Sequence, residues 1–363
     1  MKRTLQLAAL VIVALCWLAT APAQQAGQPS TDKPAATQWW QGEDQWRRPQ
    51  PNPDAKKMPR LKVEGNHFVD PDGKTALLRG LAIADPDKIK KQGHWNKNLF
   101  EHVKEMGATV VRIPVHPVAW RERTPEKYLE LLDQAVAWCT KLNIYVIIDW
   151  HSIGNLETEL FQAPMYNTSR QETYEFWRAI AGRFLGNNTV GFYELFNEPT
   201  SFRGTFGRAR WSEWKRINET IIYMIRSFDN ESIILVGGFD WAYDLTPLRE
   251  DPIDAANIGY TVHPYSNKRP QPWEPRWDED FGFAVDTWPV VATEFGFDTR
   301  EGEKIDESHY ARRIIKYLEG KGISWACWCY DPDWGPKLLK DWKYKLTPAG
   351  EFFKKAMHGN ATP

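Results

Sequence analysis

Two glutamates in this chain follow apolar, strand-like runs, and each stands where a carboxylic acid needs either a partner or a task. In "TVGFYELFNEPTS", residues 189–201, Val190, Phe192, Tyr193, Leu195 and Phe196 crowd together before Asn197-Glu198-Pro199 ends the run. Proline cannot donate to a strand ladder, so the chain must turn away after Glu198. In "PVVATEFGF", residues 289–297, Glu294 ends a second run of the same kind. Two carboxyl groups held face to face are the minimum equipment for cleaving a glycosidic bond, whose transition state resembles an oxocarbenium ion. At about 5–5.5 Å apart one acid attacks the anomeric carbon and configuration is retained, whereas about 6.5–9.5 Å leaves room for a water and inverts it.

Polar strand ends recur along the chain. Arg112 and His116 close "ATVVRIPVH", and Asp149 and His151 close "IYVIIDWHS". Asp240 and Trp241 close "SIILVGGFDW", His263 and Tyr265 lie in "IGYTVHPYS", and Trp328 and Asp331 end "ISWACWCYDP". Between most of these runs lie amphipathic segments with helical period, such as "PEKYLELLDQAVAWCTKLN", "QETYEFWRAIAGRFLG" and "WSEWKRINETIIYMIRSF". Further helices are expected around 97–106, near 278–287, in "ESHYARRIIKYLEG" and in "PAGEFFKKAM". "LKVEGNHFVDPDGKTALLRGLAI" reads as a hairpin turned at Asp70-Pro71-Asp72-Gly73 and running into a first apolar strand. An open doubly wound sheet would place a Gly-rich turn after that strand, and none is present. The alternation therefore predicts a (β/α)8 barrel with a short N-terminal hairpin, spanning residues 61–363. In such a barrel the C-terminal strand ends converge on one face, where active sites lie.

Composition narrows the partner. Net charge is −1 and no basic stripe appears, so nucleic acid is not an expected ligand. Tryptophan is over-represented, with 19 copies, and flat indole faces suit sugar rings. Trp120, Trp150, Trp241, Trp273, Trp277 and Trp334 are expected on loops past the strands, half or more of them as packing residues. "SNKRPQPWEPRW", residues 266–277, is expected to form one cleft wall. Lys2 and Arg3 before an apolar run to Ala19, with Ala21-Pro22-Ala23 before Gln24, read as an export signal over residues 1–23. Residues 24–60 are Pro- and Gln-rich and read as an irregular arm, which Trp39, Trp40 and Trp46 would pin to the barrel. Cys139, Cys327 and Cys329 are expected as buried thiols without a disulfide framework.

From about residue 60 to 358 the chain resembles glycoside hydrolase family 5, the cellulase-type family. "VVRIPVHP", "VIIDWHS", "YELFNEP", "TVHPYS", "VATEFGF" and "ISWACWCYDP" occur in that family's order. The resemblance implies a (β/α)8 TIM barrel with acids on strands four and seven, retaining hydrolysis, and no metal or cofactor. It implies a site made of Arg112, His151, Asn197, Glu198, His263, Tyr265, Glu294 and Trp328. Glu198 would be the acid/base and Glu294 the nucleophile, kept ionised by Arg112 and the Tyr265 hydroxyl. Asn197 would bind the sugar 2-OH, His263 would orient Glu198, His151 would contact a sugar hydroxyl, and Trp328 would floor the cleaved sugar. Trp325, three residues earlier on that strand, is expected on the opposite side.

The expectation is a secreted or periplasmic, monomeric endo-β-1,4-glucanase acting on cellulose or mixed glucan, without membrane association once the signal is cleaved. β-Mannanase, xyloglucanase and exo-β-glucosidase activities are alternatives within the family. A non-catalytic polysaccharide-binding barrel is the alternative outside enzymes.

Overall fold

Eight apolar segments pair edge to edge and close on themselves. In the computed structural model, which describes residues 57–200, 204, 206–299 and 303–359, they are β1 (Arg79–Ile83), β2 (Val110–Val115), β3 (Tyr145–Trp150), β4 (Val190–Glu194), β5 (Ile233–Gly237), β6 (Ile258–Val262), β7 (Val290–Ala292) and β8 (Ser324–Tyr330). All neighbours are parallel and follow sequence order, and β8 pairs with β1 to complete the barrel. The export signal, most of the arm with Trp39, Trp40 and Trp46, and Cys16 lie outside the described residues.

Helices cover the outside because their apolar residues recur every three or four positions. Arg170–Phe184 starts where the Ser169 hydroxyl accepts from the Glu172 amide at 3.0 Å, and it buries Phe176, Trp177, Ile180 and Phe184. Pro125–Leu142 begins on a proline and ends at Asn143, whose φ of 55° gives a left-handed cap. Trp325 lies on this outer side, donating from Nε1 to Glu319 at 2.9 Å and packing against Phe295 and Phe353. Cys139, Cys327 and Cys329 are free and buried.

The two-residue period of the strands sorts the barrel interior into two levels. Near the N-terminal ends, Val110, Ile147, Phe192, Leu235 and Val291 join Leu61, Phe68, Leu78 and Ile233 in one apolar cluster. Two positions further along their strands stand Arg112, Asp149, Glu194 and, past β7, Thr293, all buried.

The apolar level is plugged by a hairpin, Lys62–Glu64 against His67–Val69. Its Phe68 ring meets Phe192 edge-on at 5.0 Å. Gly259 makes room for the plug, since a Cβ there would lie 2.9 Å from Phe68 Cζ and from the Pro289 carbonyl. The hairpin turns at Gly65-Asn66, with Gly65 at φ 61°, and not at Asp70–Gly73. The Asp70 turn does form, with Gly73 N donating to the Asp70 carbonyl at 3.0 Å, but supports only the bridge between Val69 and Thr75. The helix expected near 278–287 lies earlier in the chain. The helix runs Trp273–Asp280, and Gly282–Asp286 is a 3-10 turn.

Candidate active site

At the C-terminal face the polar level opens into a cleft of about 840 Å³. Glu198 does not lie on β4 itself but four residues past its end. After Leu195 the chain shifts partners: Asn197 N donates to the Trp150 carbonyl at 3.0 Å and Glu198 N to that of Ser152 at 3.1 Å. Glu198–Pro199 thereby becomes a short strand beside Ile153–Asn155, which also pairs with Leu160–Phe161. Glu294 lies two residues past β7, where Trp328 N donates to the Phe295 carbonyl at 2.8 Å. One side-chain ligand atom each of Glu198, His263 and Glu294 lie within 4.8 Å of one another. The two distant acids are brought together.

Arg112 ties the acids to the barrel floor. It is fully buried, with Nε and NH2 donating to Glu194 at 2.7 and 3.1 Å and NH1 to Glu294 at 2.9 Å. NH2 also donates to Asn197 Oδ1 at 2.7 Å and lies 3.0 Å from Asp149. Burial works against its charge, but the carboxylates of Asp149, Glu194 and Glu294 outweigh it and raise its pKa. Glu194 shows the reciprocal effect. Burial pushes its carboxyl up, yet Arg112 and His263 bring it down to about 2. Burial raises Glu294 above the ordinary carboxylate range, Glu198's charge adds to this, and His263 and Arg112 oppose it.

The remaining residues of the expected set surround this pair. Tyr265 donates its hydroxyl to Glu294 Oε1 at 2.9 Å. His263 bridges, with Nδ1 at 3.1 Å from Glu198 Oε1 and Nε2 at 3.1 Å from Thr293 Oγ1. His151 Nδ1 lies 2.6 Å from Asp149 Oδ2. Burial, aided by His116, Arg112 and His263, holds its pKa well below the histidine range. The Trp328 ring stacks parallel to His151 at 5.3 Å and to Trp334 at 6.2 Å. Asn197 Nδ2 is buried without a partner among the described residues, a costly state that a bound hydroxyl would relieve.

Several residues of this network carry no motif that singles them out as functional. Glu194 accepts from Thr293 at 2.7 Å as well as from Arg112. No sequence signal marks it, because it sits inside an apolar run. Asp85 accepts from the backbone and ring of His116, which lines the cleft beside Trp334. Of the six tryptophans expected on loops, Trp241 and Trp334 line the cleft. Trp150 lies within β3 and stacks on Phe176, Trp120 packs on Tyr128 and Phe176, and Trp273 and Trp277 stack on each other within a helix. Only Ser266, Asn267 and Lys268 of the segment 266–277 reach the cleft wall.

Glu198, His263 and Glu294 are spaced as ligands of a divalent cation would be. The Arg112 guanidinium, 2.9 Å from Glu294, already supplies positive charge there and would repel such an ion.

A closed parallel barrel with two neighbouring acids at its C-terminal mouth defines a class, the barrel glycosidases. The sequence profile described as Cellulase (glycosyl hydrolase family 5) matches residues 69–333. The crystal structure of a beta-glucanase from Saccharophagus degradans is 42% identical with a TM-score of 0.81, covering 88% of this chain and 100% of that one. The same beta-glucanase has been solved in complex with cellotetraose. Endoglucanase A of Butyrivibrio fibrisolvens is 30% identical over 218 residues, 57% of this chain and 46% of that protein. Endoglucanase E-5 of Thermobifida fusca is 26% identical over 284 residues, 76% of this chain and 56% of its own length. The chain spans about half the length of these curated relatives. It belongs to glycosyl hydrolase family 5.

Proposed function

We propose that this chain is an exported, retaining endo-β-1,4-glucanase. The observation that carries the reading is the spacing of Glu198 and Glu294, with an oxygen of each within 4.8 Å of the other. That supports the close pair of a double displacement over the wider spacing used by inverting enzymes. The cellotetraose complex of the Saccharophagus degradans relative supports a β-glucan substrate. The cleft volume of about 840 Å³ is at the upper end of the roughly 300–1,000 Å³ typical of ligand sites and suits a chain of sugars.

The roles follow from the hydrogen bonds. Glu294 receives donors from Arg112 and Tyr265, so it is the acid better held as a carboxylate. Its raised pKa owes part of its size to Glu198's charge, and that part vanishes once Glu198 carries the proton. In the first step a Glu294 oxygen bonds to the anomeric carbon while the bond to the departing chain breaks, and Glu198 gives that chain's oxygen its proton. In the second, water bonds to the anomeric carbon, Glu198 takes its proton, and the ester to Glu294 breaks. Asn197 Nδ2 donates to the 2-OH, His151 contacts a neighbouring hydroxyl, and Trp328 supports the ring from below. Lys2, Arg3 and the apolar run to Ala19 support export, with Gln24 as the mature N-terminus.

The test is proton NMR of the first product of cello-oligosaccharide cleavage, run beside viscosity and glucose release on carboxymethylcellulose. The β-anomer forming first, with viscosity falling before glucose accumulates, is expected. The α-anomer first, or glucose without loss of viscosity, contradicts the reading.

A further inference from the structure

The loop after β6 places a lysine in the cleft with unused hydrogen-bonding capacity. Lys268 is half-buried and lines the cleft with Glu198 and Trp241. Its Nζ donates to the Asp240 carbonyl at 2.9 Å and lies 4.7 Å from the centre of the Trp241 ring. Among the described residues no carboxylate forms an ion pair with it. The Asp240 carboxylate is held by Arg269 at 2.9 Å, and Arg269 also binds Asp280 at 2.8 Å. An ammonium has three N–H donors, and the Asp240 carbonyl takes one. Burial lowers the pKa of Lys268 against the pull of Glu198 and Asp240.

The backbone that meets this lysine is unusual. Asp240, Trp241 and Ala242 have φ of 56°, 57° and 55°, a left-handed run without a glycine. L-residues disfavour that conformation, and it persists where surrounding contacts over-determine it. Here Lys268 and Arg269 hold Asp240, Gln162 accepts from Trp241 Nε1 at 3.1 Å, and His263 N donates to the Ala242 carbonyl at 2.8 Å. The result presents the Trp241 ring and the Lys268 ammonium to the same part of the cleft.

Ring order says which part. Glu198, Trp241 and Lys268 follow β4, β5 and β6 on one arc of the mouth; on the other, Glu294 and Trp334 follow β7 and β8, and Trp328 lies within β8. On the proposed hydrolase reading, Glu198 protonates the departing oxygen, so the departing chain lies over the first arc. We infer that Lys268 is a binding residue for the departing sugar, its two remaining N–H groups donating to neighbouring hydroxyls of a neutral hexose that packs on Trp241.

The test compares wild type, Lys268→Met and Lys268→Arg on soluble mixed-linkage β-glucan and on β-cellobiosyl fluoride, whose leaving group is a single atom. Lys268→Met is expected to lose about tenfold more kcat/KM on the glucan than on the fluoride, mainly through KM, with Lys268→Arg recovering part of it. Cellotetraose deoxygenated at one hydroxyl of the departing sugar separates contact from loop support. A contact makes the deoxygenation penalty of wild type shrink in Lys268→Met. Equal losses on both substrates, no loss on the glucan, or an undiminished deoxygenation penalty each overturn the assignment while leaving the hydrolase reading standing. A wild-type chain inert toward both substrates overturns that reading, and the role of Lys268 with it.

Discussion

The interior of this barrel is built at two levels from largely the same strands, and the levels obey opposite rules. At the N-terminal end Val110, Ile147, Phe192 and Val291 meet the Phe68 plug in a dry cluster. Two residues along, Arg112, Asp149, Glu194 and Thr293 form a network in which one guanidinium meets three carboxylates. Burying apolar rings is favourable wherever they fit, whereas burying charges is costly unless each finds a partner. The lower level thus stabilises the fold, and the upper level uses the closed ring to hold acids at a spacing that water would otherwise relax.

Substitutions at the two levels should therefore fail in different assays. The largest effect is expected from Glu294→Gln, which should lower kcat on β-glucan by about 10⁴-fold, or about 5.5 kcal/mol. Its thermal midpoint should hold or rise, because folding raises the pKa of that carboxyl. A drop in midpoint with activity retained would erase the distinction between the levels. Phe68→Ala should do the reverse, costing about 3–5 kcal/mol in urea unfolding and leaving kcat/KM near wild type below the transition.

Glu194 sharpens the comparison through pH. Its pKa lies at about 2 in the fold against an ordinary 4.5, so its contribution is complete above the ordinary value and drains away as pH falls toward the lower one. The contribution at neutral pH is about 3 kcal/mol, and Glu194→Gln should remove both it and the acid-side slope in urea unfolding between roughly pH 5 and 3. An unchanged slope would place that sensitivity elsewhere. Smallest is Trp334→Ala, which should raise KM a few-fold and alter KM more than kcat, worth about 1 kcal/mol of ring stacking. A larger loss in kcat would tie that ring to the chemistry.

The strand alternation and the polar strand ends make the barrel and its reactive face legible in the sequence. Other features depended on tertiary partners. Asp70-Pro71-Asp72-Gly73 carries the stronger turn composition, yet the longer ladder forms about Gly65-Asn66, because that register drives Phe68 into the barrel beside Gly259. Trp150 and Trp241 both follow apolar runs, and only the helix against β3 decides that Trp150 packs on Phe176 while Trp241 faces the cleft. Glu194 sat inside a run that reads as apolar. Its role became visible once Arg112, from a strand far away in sequence, was seen to meet it. Lys268 was legible only as part of the segment 266–277 expected along the cleft wall, since a polar loop residue becomes informative by itself only when its neighbours leave its donors unused.

In the proposed mechanism Glu294 is the attacking carboxylate, and covalent trapping reads that directly. Incubating the chain with an activated 2-deoxy-2-fluoro-β-cellobioside, followed by mass spectrometry of the intact protein and of its peptides, should show one added glycosyl group on Glu294. Turnover of β-glucan with no trapped adduct, or an adduct on Glu198, would contradict it.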